Sequence, residues 1–273
     1  MNTESKSSEF NDLNEETRRS WDRIAEWWDD KIGDGNQFQL ELIEPATKHL
    51  LEIHSGTTVL DIACGAGRFA RQMVEMGAYV VAIDFSERFI RRAKKRTPPE
   101  MKNIEYHVID ATDREGLLSL GSHRFDGAVA TMALMDIASI EPLMNTLPLL
   151  LKRGGWFVFT IMHPCFQAPE SSRFAESVES DGQFSVRSGV RITRYITPVA
   201  WKGVGIQGQP ESYYYFHRPL SVLFNIGFDN GFVVDGLAEP ILTGDPEDTH
   251  FLRWDNMPEI PPILAVRMRL TRQ

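Results

Sequence analysis

The stretch TTVLDIACGAGRFARQMVEMGAYVVAIDFS, Thr57 to Ser86, decides the fold. Val59 and Leu60 read as a buried strand, Gly65 and Gly67 as a turn, Arg68 to Met76 as a helix, and Val80 to Ile83 as a second buried strand. A strand, a tight glycine turn, a helix and a second strand make a β-α-β unit. Such units open a ligand crevice at the carboxyl ends of their strands.

Working outward, the same alternation continues. Ser86 caps a helix running to about Lys95, IEYHVID (104–110) is a third strand, FDGAVAT (125–131) a fourth, Ile140 to Leu151 a helix, and GGWFVFTIMH (154–163) a fifth strand. Short connections between alternating elements imply a doubly wound α/β sheet. Upstream, Trp21, Ile24, Trp27, Trp28 and Ile32 fall at helical spacings from Glu15 onward, and a Gly33-Asp34-Gly35-Asn36 break precedes more helix to Leu51, opened by Pro45. Downstream, residues 165–210 are rich in Ser, Gly and Pro and hold one strand-like piece, VRITRYITPV (190–199), so they read as an insertion. A helix and strand in 217–240 and an alternating strand in PPILAVRMRL (261–270) restore order. The expected organisation is a disordered tail over 1–13 and a single domain over 14–273: helical lid 14–54, ligand-binding core 55–164, inserted cap 165–215 and the closing part of the sheet 216–273.

With 273 residues, the chain is long enough to bury a sizeable core. A net charge of -9 repels phosphate backbones and argues against extended nucleic acid as a partner. The basic run RRAKKR (91–96) reads as a solvated helix face. Cys64 and Cys165 form neither a metal-ligand spacing nor a disulfide framework. Without an apolar run of about 20 residues or a targeting pattern, the expected compartment is the cytoplasm. Oligomeric state, monomer or homodimer, is left open.

Gly65-Ala66-Gly67-Arg68-Phe69-Ala70 matches the dinucleotide string G-x-G-x-x-A, which in nicotinamide proteins brings backbone amides to a pyrophosphate. Asp61, at the end of the first strand, works against that reading: a fixed negative charge there opposes a pyrophosphate and suits an ammonium group. Asp84, ending the second strand, is placed for both hydroxyls of a ribose, and Asp110-Ala111-Thr112, ending the third, for the exocyclic amine of an adenine. A lone Asp at a strand end is more often a cap or turn acceptor, but acids at three successive strand ends outweigh that. An amino acid, a ribose and an adenine together describe S-adenosylmethionine.

The pieces VLDIACGAGRFA, VVAIDFS, HVIDATD, FDGAVATMALMD and LLKRGGWFVFTIMHP, in that order over residues 57–164, resemble the class I S-adenosylmethionine-dependent methyltransferases. The resemblance implies a Rossmann-like sheet of seven strands with an antiparallel last strand. It carries cofactor roles onto Asp61, Gly65, Gly67, Asp84 and Asp110, and the expected cofactor set adds Ala63, Phe85, Ala111, Thr131, Met132 and Trp27. Ala63 stands where many members have glycine.

Methyl transfer from a sulfonium needs alignment and exclusion of water, and no metal. If the acceptor must lose a proton, His163, His217 and Asp136 are the candidate catalytic groups, each with a structural alternative; for Asp136 that is capping the helix near Ile140. The acceptor pocket is expected from the lid, the cap and the stretch just after it, which carry Trp21, Trp27, Trp28, Phe38, Phe166, Trp201, Tyr213, Tyr214, Tyr215 and Phe216. Of these, Trp28, Phe38, Phe166, Trp201, Tyr214 and Tyr215 are the expected substrate contacts. The stretch after the fourth strand reads ATMALMD rather than the Asn/Asp-Pro-Pro-aromatic run typical of base-methylating enzymes. A small organic acceptor is therefore expected, with a protein or RNA methyltransferase, a nicotinamide oxidoreductase and a non-catalytic binding subunit as alternatives.

Overall fold

The computed structural model describes residues 10–244 and 250–271. The first five strands are β1 (Thr58–Ile62), β2 (Tyr79–Asp84), β3 (Ile104–Val108), β4 (Phe125–Thr131) and β5 (Leu151–Met162). Two separate hairpins follow, β6 (Ser172–Ser180) with β7 (Gln183–Arg191), and β8 (Val199–Gly203) with β9 (Tyr213–His217). β10 (Phe232–Ala238) and β11 (Ile263–Leu270) complete a seven-stranded sheet of order β10-β11-β5-β4-β1-β2-β3. β11 runs antiparallel to both neighbours, while β1 to β5 are mutually parallel.

β1 shows why this sequence makes a covered sheet. Val59 to Ile62 are all buried, as parallel strands packed on both faces must be. Leu60 and Ile62 join Phe125, Leu147 and Phe157 on one face, and Val59 joins Met73, Val80 and Trp156 on the other. Because β1 is flanked by β2 and β4, the chain reverses direction along the sheet at β1, and a crevice opens there.

The helices are α1 (Asn14–Ile32), α2 (Glu44–Leu50), α3 (Arg68–Glu75), α4 (Glu87–Arg96), α5 (Arg114–Leu118), α6 (Glu141–Leu150) and α7 (Leu220–Asp229). The Ser86 hydroxyl accepts the Phe89 N–H at 3.2 Å and caps α4 as its sequence implies. Pro45 lies in the first turn of α2, preceded by a π-helical turn over Phe38–Ile43. Among the described residues no helix is long and apolar enough to cross a membrane.

Several expectations need correction. Residues 1–9 of the expected tail lie outside the described residues, but Phe10 to Leu13 form an ordered turn, with the Phe10 ring 5.4 Å from that of Phe216. The basic run on α4 is not wholly solvated: Arg92 and Arg96 both bind the buried carboxylate of Asp29, with Arg96 Nε at 2.8 Å. They clasp α1 over the sheet. VRITRYITPV is not one strand; its first two residues end β7, Val199 begins β8, and the middle is a loop. A cap boundary after Tyr215 would cut β9, whose residues pair with β8 as far as His217.

Candidate cofactor and acceptor cleft

A cleft of about 550 Å³ opens at the carboxyl ends of β1, β2 and β4, beneath α1. Asp61, Ala63, Gly65, Asp84, Phe85, Asp110, Ala111, Thr131 and Met132 all line it. Asp84 is held by backbone: Oδ2 accepts the Gly65 N–H at 2.9 Å and Oδ1 the Ser86 N–H at 2.9 Å. Burial nonetheless pushes it up to about 6, against the pull of those two N–H groups. Asp61 finds no such donor among the described residues. Its Oδ2 is buried without a partner, and burial, followed by the charge of Asp84, pushes it up to about 8. Two buried acids side by side with so little compensation call for a cation from a ligand.

The turn between them is strained in a useful way. Ala63 takes φ +53° and Gly65 φ +52°, left-handed values that glycine adopts freely and alanine only under strain. Met132, just past β4, has φ +52°, and its N–H is tied to the Thr160 carbonyl at 2.9 Å. Gly67 has a different task from the one expected. It does not line the cleft; a Cβ there would lie 2.5 Å from the Tyr106 hydroxyl, so this glycine lets α3 pack on β3.

Asp110 is already engaged. Oδ1 accepts both the Thr112 N–H and its hydroxyl at 2.8 Å, and Oδ2 accepts Asn14 Nδ2 at 3.0 Å. The first residue of α1 thus reaches Asp110, closing that end of the cleft.

At the other end α1 meets β9. The ring centroid of Trp21 is 4.2 Å from that of Tyr213 and 5.0 Å from that of Trp28, and Tyr213 is 4.7 Å from Tyr215. The Phe216 N–H donates to the Met135 carbonyl at 2.7 Å, which fastens β9 beside the loop after β4 and places its tyrosines by Asp136. Asp136 lines the cleft, and its Oδ1 is buried without a partner. Burial raises it well above the usual carboxylate range. It does not cap α6, where Ile140 occupies the cap position.

Alternation along β9 sorts the tyrosines. Tyr213 and Tyr215 face the cleft, whereas Tyr214 points away, its hydroxyl donating to Glu16 at 3.3 Å and its ring 4.8 Å from Lys202 Nζ. Trp28 and Phe38 line the cleft as expected. Trp27 packs on Trp28 outside the lining, and Phe166 lies against the His163 ring at 4.6 Å. Trp201 stacks on Tyr215 at 5.3 Å, from behind.

Neither histidine reaches the cleft. His163 is buried, with Nε2 2.9 Å from Glu239 Oε1 and Nδ1 accepting the Cys165 N–H at 3.2 Å; both ring nitrogens are committed. His217 bonds the Tyr195 carbonyl through Nε2 at 2.6 Å. Burial lowers the proton affinity of both. His163 ties the end of β5 to the segment after β10, and His217 ties the loop before β8 to β9.

Sequence reasoning missed Asn14 and Arg68. Arg68 lines the cleft and bonds the buried Glu44 at 2.7 Å through Nε. A signal existed: a cation in the first turn of α3 opposes the helix dipole, so its placement serves something other than helix stability.

A methyltransferase domain family matches residues 60–159. Ubiquinone biosynthesis O-methyltransferase of Caulobacter vibrioides is 30% identical over 153 residues, which cover 50% of this chain and 58% of that protein. The Xanthomonas axonopodis protein of the same description is 27% identical over 161 residues, 56% of this chain and 62% of its own length. Matching thus spans less than two thirds of these relatives. A solved S-adenosylmethionine dependent methyltransferase from Mesorhizobium loti superposes with a TM-score of 0.61 at 27% identity, covering 82% of this chain and 96% of that one. The CcbJ methyltransferase from Streptomyces caelestis, at 17% identity, shares the fold with a TM-score of 0.61 over 94% of this chain and 99% of its own. With the sheet order, the acid-lined glycine turn and these likenesses together, residues 60–159 form a methyltransferase domain of the class I S-adenosylmethionine-dependent type.

Proposed function

We propose that this chain methylates a small organic molecule, taking the methyl group from S-adenosylmethionine. The observation that carries the reading is the buried, unpartnered Oδ2 of Asp61 beside Asp84, a pair of acids that an amino-acid ammonium group would complete. The cofactor, when bound, supplies a methyl group on a positively charged sulfur. The chain's residues then bind and orient. Asp61 would face the ammonium, and the remaining lone pairs of Asp84 would accept the ribose hydroxyls. Asp110 and Ala111 would take the adenine edge, and Arg68 would offer a counter-charge to the carboxylate. Gly65, Phe85, Thr131 and Met132 form walls. The lid and the β8–β9 hairpin keep water out of the acceptor end, where Asp136 is the one expected catalytic candidate lining the cleft. The relatives' O-methyltransferase descriptions and the net charge of -9 favour a small acceptor over nucleic acid.

Methyl transfer from labelled S-adenosylmethionine to a metabolite library tests this. We expect one chemical series to become labelled, with Asp84→Ala abolishing most of the signal. A library left unlabelled by a protein that does not bind S-adenosylhomocysteine would overturn the reading.

A further inference from the structure

The acceptor end of the cleft holds a small polar group of its own within aromatic walls. Tyr213 and Tyr215 bond each other through their hydroxyls at 2.5 Å, and both rings are buried. Burial first, and then the charge of Asp136, drives both phenols above their ordinary range, so both keep their protons. Two hydroxyls that share one hydrogen bond leave one O–H free to donate outward. Gly205 in the cap shows that the pair is closely covered: a Cβ there would lie 2.6 Å from the Tyr213 hydroxyl oxygen and 3.0 Å from that of Tyr215. Opposite stands Asp136, to whose carboxyl none of the described residues donates a hydrogen bond, with one oxygen sealed and the residue half-buried in the cleft lining. The local complement is therefore one outward donor and one acceptor that takes a proton.

We propose that the methyl acceptor carries a hydroxyl group whose oxygen is held by the Tyr213–Tyr215 pair and whose proton passes to Asp136; this rests on the methyl-transfer reading above. The choice of oxygen over nitrogen follows from lone pairs. A hydroxyl oxygen has two, so one attacks the methyl carbon while the other accepts the tyrosine O–H. A neutral amine nitrogen has one, and using it for attack leaves the tyrosine donor unsatisfied in a buried place, which is costly. In the balanced step an O–CH3 bond forms and the S–CH3 bond of the sulfonium breaks. Its electron pair returns to sulfur, leaving a thioether, and the hydroxyl proton goes to Asp136 in its ionised form, which burial makes a stronger base than an ordinary carboxylate. Trp21 and Trp28 flank the site with flat apolar surface, which suits a planar ring bearing that hydroxyl.

The test uses the full chain saturated with S-adenosylhomocysteine and titrated calorimetrically with phenol, 2-naphthol and the matching aniline and 2-naphthylamine. We expect the hydroxyl compounds to bind about tenfold more tightly than their amine counterparts, because an aryl amine's one lone pair is drawn into its ring and accepts the tyrosine O–H poorly, a loss the size of one buried hydrogen bond. Asp136→Asn and the combined Tyr213→Phe, Tyr215→Phe substitution should each bring that ratio toward one while S-adenosylhomocysteine affinity stays unchanged. For any phenol that is turned over, Asp136→Asn should lower kcat by about 100-fold or more, with partial rescue by Asp136→Glu. Amines binding as tightly as phenols, or a preference that survives both substitutions, would overturn the proposal. The parallel S-adenosylhomocysteine titration separates its failure from failure of the cofactor reading, since only the latter abolishes that binding.

Discussion

The two ends of the cleft are built by opposite strategies. At the proposed cofactor end, acids sit at the tips of β1 and β2 and past β3, and backbone N–H groups from the glycine turn and the start of α4 fix Asp84. At the proposed acceptor end, Trp21, Asp136 and Tyr215 arrive from α1, the loop after β4 and β9, elements brought together only by packing. Backbone positioning tolerates sequence change around it, while a side-chain pocket changes with each residue. One end is therefore suited to a constant ligand and the other to a chosen one.

The largest expected effect comes from loosening the helix that spans both ends. Asp29→Ala strips the shared partner from Arg92 and Arg96 and should cost about 2–3 kcal/mol, discounted from a fully buried pair because both guanidinium groups keep some contact with water. Thermal melts should show this, together with weaker binding at both ends; an unchanged melting temperature would mean that α1 is held mainly by its tryptophans. Next, Asp84→Ala should weaken S-adenosylhomocysteine by roughly 1.5–3 kcal/mol through loss of charge-assisted acceptors, while leaving the Tyr213–Tyr215 pair intact.

Acidity gives a third way to separate the ends. Burial pushes Asp61 up to about 8 and Asp84 up to about 6, above the ordinary carboxylate range. The unfolded chain thus gives up those protons first, and these groups lower stability as pH rises from near 4 through 8. The ligand-free melting temperature should fall across that window less steeply in Asp61→Asn than in the wild type. Binding of S-adenosylhomocysteine near pH 7 should release protons, visible as a buffer-dependent enthalpy. A smaller effect is expected of His163→Ala, about 1–2 kcal/mol of stability from its lost hydrogen bonds, with cofactor affinity unchanged.

What was legible follows the same division. Strand ends and turns announce themselves locally, so Asp61, Gly65, Asp84, Asp110 and Met132 could be placed in the lining from spacing and resemblance. Gly67 was placed correctly in the turn, but its packing partner Tyr106 lies on another strand. The acceptor residues depend on which way β9 faces. Tyr214 was expected to touch substrate together with its neighbour Tyr215, although adjacent strand residues point to opposite faces; Tyr213 is the partner that parity requires. His163 and His217 looked available because nothing in the sequence reveals that Glu239 and the Tyr195 carbonyl bind them. Nor could a charge run disclose that Arg92 and Arg96 reach across to Asp29.

The most direct measurement is a pair of calorimetric titrations of the wild-type chain, one with S-adenosylhomocysteine and one with NADH. An acid-lined turn that seeks an ammonium group should bind the first with affinity of about micromolar order and give no heat with the second. Saturable NADH binding with no response to S-adenosylhomocysteine would contradict it.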